Sequence, residues 1–122
     1  MATLSTTLSL SSTTATSDAV SLSLSKSLNI TNPVQGLSRE SVAHNADTVI
    51  VAASVTASTY VYLKNMDSAN LTYLKTDAQG EAPFARLHAG EAVLFCVAPS
   101  TGLHLRADTA PCIIEFAVFT KE

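Results

Sequence analysis

The sequence predicts an all-β domain, an antiparallel β-sandwich or small jelly-roll-like barrel of about eight strands, carrying an extended N-terminal arm. Three observations predict it. Apolar runs of roughly four to eight residues alternate with clusters of Gly, Pro, Asn, Asp and Ser, the punctuation of short strands and turns. From Val20 to Thr31 the alternation has period two, with Val20, Leu22, Leu24, Leu28 and Ile30 on one side and Ser21, Ser23, Ser25, Ser27, Asn29 and Thr31 on the other. No stretch has convincing helical periodicity. At 122 residues the chain is one domain, long enough to bury roughly two thirds of its unfolded surface.

Residues 1–19 read as the arm and residues 20–122 as the sandwich. The arm is rich in Ser and Thr with scattered Leu, too poor in apolar residues to contribute much to a core. Leu8-Ser9-Leu10 already alternates, so the arm is expected to be ordered by something outside it, such as a neighbouring chain. Lys26 interrupts the apolar side of Val20–Thr31, which suits an edge or an interface. Asn32-Pro33 and Gln35-Gly36 predict a break. Ser41 to Ala43 is a possible short strand, and Asp47 to Val55 is a β-branched one.

The stretch from Ser58 to Phe119 reads as an antiparallel meander. Thr59–Lys64 and Leu71–Lys75 form a hairpin candidate around Asn65, Asp67, Ser68 and Asn70, whose short side chains bond nearby backbone. Asp77-Ala78-Gln79-Gly80 is the next turn. Phe84–Leu87 follows, and then Ala92–Val97, the least polar strand, which is expected to lie centrally with both faces covered. Leu103–Ala107 and Ile113–Phe119 complete the set. Glu115 is expected to face solvent, a neighbouring subunit or an edge.

Composition narrows the function. Hydrophobic residues make up 47% and charged residues only 14%, well below the usual share of about 25%. That balance fits a surface partly covered by other subunits, or a small neutral β-protein. The net charge of −3 and the lack of a basic stripe argue against nucleic acid. No apolar run is long enough to span a bilayer as a helix. The opening MATLSTTLSLSS lacks the basic and apolar regions of a secretory signal; its Ser/Thr-rich, acid-poor character is closer to a plastid transit segment, but it has no Arg. Cys96 and Cys112 could bridge only if their strands are neighbours; without an export signal, buried reduced thiols are expected. Asn29-Ile30-Thr31 and Asn70-Leu71-Thr72 match the glycosylation acceptor pattern as chance occurrences in a Ser/Thr-rich chain.

No constellation points to catalysis or to a cofactor. His44, His88 and His104 lack metal-pair spacing, although His88 and His104 could approach across strands. No Ser lies in a G-x-S-x-G elbow, and the acidic residues Asp67, Asp77, Glu81 and Asp108 fall in turns. The residues expected at an interface are Leu4, Leu8, Leu10, Lys26, Tyr60, Tyr62 and Tyr73.

The second half of the chain carries, in order, Tyr60-Val61-Tyr62-Leu63-Lys64-Asn65, Tyr73-Leu74-Lys75-Thr76-Asp77 and Leu87-His88-Ala89-Gly90-Glu91. Gly102-Leu103-His104-Leu105-Arg106-Ala107-Asp108-Thr109 and Glu115-Phe116-Ala117-Val118-Phe119 follow. With these segments it resembles small β-rich virion proteins of tailed bacteriophages. Ala89 stands where many such proteins have Pro. The resemblance implies a non-enzymatic capsid decoration (cement) protein in the phage head, assembled in the host cytoplasm. Its partners would be the major capsid protein or other virion proteins, and further copies of itself in a homo-oligomer, with a trimer as one arrangement. Alternatives are a tail, head–tail joining or fibre subunit, or a host-surface or glycan-binding module.

Overall fold

The computed structural model describes residues 2–14, 20–77 and 82–122, with the side chains of residues 32–36 outside the description. The expected turn at Ala78-Gln79-Gly80 and the acidic Glu81 therefore lie outside the described residues. The strands are β1 (Ala2–Ser12), β2 (Val20–Val42), β3 (Thr48–Val51), β4 (Thr59–Asn65), β5 (Thr72–Lys75), β6 (Ala85–Leu87), β7 (Ala92–Val97), β8 (Leu103–Ala107) and β9 (Cys112–Lys121). They form a five-stranded sheet ordered β1-β2-β9-β4-β7 and a four-stranded sheet ordered β3-β8-β5-β6.

Strands β2 to β9 pair as a nested series. β5 pairs with β6, β4 with β7, β3 with β8, and β2 with β9, all antiparallel. The chain is thus one long two-stranded ribbon, folded at β5–β6 and wrapped on itself, with β4–β9 and β5–β8 pairing across the wraps. That is the strand order of a jelly roll, here an open sandwich of two sheets.

This pairing corrects the meander. Among the described residues between Thr59 and Lys121, only β5 and β6 are neighbours both along the chain and in a sheet. β4 and β5 lie in different sheets, so the expected hairpin around Asp67 is a crossing between layers. The expected turn chemistry is present, since Asp67 accepts from the Ala69 and Asn70 amides at 2.9 and 2.6 Å. Such a turn fixes a change of direction, and direction alone does not decide which strand is met next.

β7 corrects a second expectation. It is the outer strand of its sheet, not a central one, and its residues alternate. Val93, Phe95 and Val97 turn inward, while Ala92, Leu94 and Cys96 are exposed. The central strand is β9, flanked by β2 and β4. Cys96 is therefore an exposed thiol, contrary to expectation, whereas Cys112 is buried. Both are free, and their strands each adjoin β4 but not one another.

The core lies between the sheets. Val61, Leu63, Leu105 and Ile114 have no exposed surface, and Phe116 and Val118 pack with them. Phe84 and Phe95 meet edge to face, with ring centroids 6.2 Å apart, beside the open side of β7. One buried polar residue stitches the layers. Asn65 ends β4 and donates from Nδ2 to the Asn70 and Leu87 carbonyls at 2.9 and 3.0 Å, while its Oδ1 accepts from the Asp67 amide at 2.9 Å. It joins the end of β4 to β6 of the opposite sheet. Gly102, opening β8, has φ +76°, and an added Cβ would lie 3.2 Å from both the Ala53 nitrogen and the Val51 oxygen. Both the conformation and the space call for glycine there.

The predicted break at Asn32-Pro33 and Gln35-Gly36 takes another form. β2 runs through it, and the register with β9 shifts between Ile30 and Pro33, Pro33 and Gln35, and Gln35 and Ser38. Pro lacks an amide hydrogen and Gly adds freedom, so these residues are absorbed as bulges that bend the strand without ending it.

Candidate interaction surface

The first half of β2 belongs with β1. The two pair without a slip from Ala2 opposite Ile30 to Ser12 opposite Val20. The expected arm is thus one strand of a hairpin, and its partner strand comes from its own chain. Its Ser/Thr composition is too poor in apolar residues to build a core, yet Leu alternates with hydroxyl residues whose β-branched members favour extended backbone.

The in-register pairing sorts the side chains. One side carries Leu4, Thr6, Leu8 and Leu10 beside Leu28, Lys26, Leu24 and Leu22. The other carries Thr3, Ser5, Thr7, Ser9 and Ser11 beside Asn29, Ser27, Ser25, Ser23 and Ser21. Hydroxyls bond across the hairpin, with Thr7 Oγ1 3.4 Å from Ser25 Oγ, while Thr6 Oγ1 donates to the Lys26 carbonyl at 3.0 Å. Near the body the leucine side is partly covered at Leu4 and Leu28, and Ile30 is buried. Farther out Leu8 and Leu24 remain 53% and 56% exposed.

Between this hairpin and the outer face of the five-stranded sheet lies a groove of about 490 Å³, lined by Leu4, Ser5, Thr6, Thr7, Leu37, Tyr62, Leu94, Ala117 and Phe119. A second groove of about 380 Å³ continues past Thr6, Thr7, Leu8, Leu24, Lys26 and Leu94. The sheet face is apolar where β4, β7 and β9 turn Tyr62, Leu94, Ala117 and Phe119 outward. Glu115 sits on this face as well. It takes a hydrogen bond from the Tyr62 hydroxyl at 3.1 Å and pairs with Arg39 at 3.2 Å. Burial, and then the bond to Glu115, push the Tyr62 phenol above its ordinary pKa.

The structure thus gathers Leu4, Leu8, Lys26 and Tyr62 around adjoining grooves. Leu10 extends along the same side of the hairpin. Tyr60 neighbours Cys96 and Phe119 in the sheet. Tyr73 lies in the other sheet, under the Arg86 guanidinium at 5.4 Å, with its hydroxyl donating to Asp108 at 3.2 Å. Leu24, Leu37 and Leu94 were not singled out from the sequence. Leu24 was legible as part of the period-two pattern; Leu37 and Leu94 join the groove only through tertiary packing.

A polar cluster occupies the four-stranded sheet. Asp47 meets Arg106 at 2.8 Å and Lys75 at 3.3 Å, and His104 meets Asp77 at 2.8 Å and Asp47 at 3.7 Å. Partial burial raises the Asp47 carboxyl, but Lys75 and Arg106 outweigh it, and the net shift is below the ordinary value. His88 follows β6 and pairs with Glu91 at 3.1 Å. β5 separates β6 from β8, so His88 and His104 do not come together across adjacent strands. Among the described residues no group of three or more His, Cys, Asp or Glu is placed to hold a metal ion. No family model, curated protein or solved structure matches the chain.

Proposed function

We propose that the chain is a non-enzymatic structural protein of a virion, a decoration or cement subunit on the head of a tailed bacteriophage. The jelly-roll body would sit across joints between major capsid subunits while the β1–β2 hairpin engages a neighbour. One observation carries the assembly part of this reading: an unbroken eleven-residue strand pairing holds out a leucine face that the body leaves about half exposed. A side chain that costs free energy in water is retained there at successive alternate positions, as expected of a surface completed by another subunit. The jelly roll is compatible with it, being found in viral capsid domains, and also in lectins and cupins. The virion assignment rests on the sequence resemblance. Repetition over a symmetric shell turns weak contacts into strong attachment.

The test is binding of purified protein to emptied, expanded phage heads, compared with a variant lacking residues 1–29. The full chain is expected to bind and the truncated chain to lose binding while keeping its unfolding midpoint within a few degrees. Affinity of the isolated protein for host glycans, with none for heads, would replace this reading with the glycan-binding one.

A further inference from the structure

We infer that the β1 edge is the dimerisation strand of this protein, and that its occupant is β1 of a second copy, paired antiparallel about a twofold axis at Thr7. Whether or not the chain is a virion subunit, this follows from the edge itself. β1 is the outermost strand of its sheet. It runs eleven residues without a bulge, without Pro and without a charge. Proteins ordinarily blunt such an edge with Lys, Pro or a bulge because its unpaired amides and carbonyls recruit another strand.

Three features select a second copy as the occupant. The first is charge: from Ala2 to Ser12 there is none, and Lys26 is the sole charge from Val20 to Thr31. A partner recognised by charge finds little to read, and two copies do not repel. The second is pattern. In a twofold pairing centred on a residue, even-numbered positions meet even-numbered ones, so the leucine sides of both copies form one face. A one-residue slip would set Leu against Ser. The centre at Thr7 pairs Leu4 with Leu10, Thr6 with Leu8, and Thr7 with itself. The third is the groove. Consecutive residues Leu4, Ser5, Thr6 and Thr7 line it, so its wall is the edge of the strand rather than one face, above an apolar floor. Edge backbone beside apolar pockets is how added strands are received. Leu8, Leu10, Leu22 and Leu24, 40–56% exposed in each copy, then lie on one continuous apolar face shared by the two.

Sedimentation equilibrium of the full chain, at concentrations up to roughly 1 mM, tests this. A monomer–dimer equilibrium is expected. Thr7→Lys and Thr7→Glu each place like charges on the twofold axis, and each should weaken dimerisation by at least about tenfold. An equimolar mixture of the two variants should restore it, as a heterodimer. Unchanged unfolding midpoints at low concentration show that both variants fold. In a Cys96→Ser background, Thr7→Cys should cross-link to a disulfide dimer on mild oxidation, because facing residues in an antiparallel pair bring Cβ atoms close enough. A chain that stays monomeric, that forms trimers, whose dimer survives both charge variants, or whose dimer is not restored by mixing them overturns the proposal.

Discussion

The jelly-roll body and the hairpin arm obey the same alternation and end in opposite states. In β4, Val61 and Leu63 alternate with Tyr60, Tyr62 and Lys64, and the aliphatic pair is fully buried. In the arm, Leu8 and Leu10 alternate with Ser9 and Ser11, and the leucines stay about half exposed. β4 has strands on both sides and a second sheet beneath; β1 has one neighbour and a groove. Alternation therefore specifies that a face exists and which residues share it, while coverage depends on what the rest of the molecule brings there. A two-stranded ribbon has little independent stability, so the leucine face is where this chain has most to gain from association.

The largest expected contrast is a matched pair of truncations. Leu63→Ala should cost about 2–5 kcal/mol, since it opens a cavity between the sheets. Leu8→Ala should change the unfolding free energy of dilute protein by less than about 0.5 kcal/mol. Denaturant titration of both variants measures the difference, and equal losses would mean that the arm is part of the core.

Asn65→Ala comes next. It strands the buried Leu87 carbonyl together with the part-buried Asn70 carbonyl and Asp67 amide, and is expected to cost about 2–4 kcal/mol. A near-neutral result would show that the layers are held together at that end without it.

Acid should act on the body and spare the arm. Backbone amides of Asn70 and Ala69 hold the Asp67 carboxyl below its ordinary pKa, and Asp47 is also lowered. Groups with depressed folded-state values add stability that is complete above the unfolded value of about 4 and is lost as pH falls through the folded value. The unfolding midpoint should therefore be flat near neutrality and decline below about pH 4, with a shallower decline in Asp47→Asn. The arm strands have no carboxylate between Ala2 and Ser12 or between Val20 and Thr31, so deleting them should leave that acid limb in place.

The smallest perturbation separates the two thiols. Cys96 is exposed and Cys112 buried, and burial pushes the Cys112 thiol pKa up. Alkylation of native protein should modify Cys96 alone, and alkylation after denaturation should modify both, as read by mass spectrometry. Rapid native labelling of Cys112 would mean that β9 opens readily.

Much of the candidate surface was legible early. Period two in Val20–Thr31 placed the leucines on one side, and Leu8-Ser9-Leu10 marked order in the arm. What holds the arm was not legible, because pairing with β2 and pairing with another chain satisfy the same Ser/Leu pattern. Tyr73 looked equivalent to Tyr62 in sequence, yet lies in the other sheet.

Local pattern suffices for the β class of the chain, for the place of most strands and turns, and for which side chains share a face. Those properties depend on neighbours within a few residues, through backbone preference and side-chain alternation. Long-range packing makes β7 an edge and β9 the centre, parts β4 and β5 into different sheets, and folds the ribbon at β5–β6. Strand order is set by long-range pairing, where each apolar strand meets several candidates of similar composition. The choice among them falls to the packing that closes Val61, Leu63, Leu105 and Ile114 away from water.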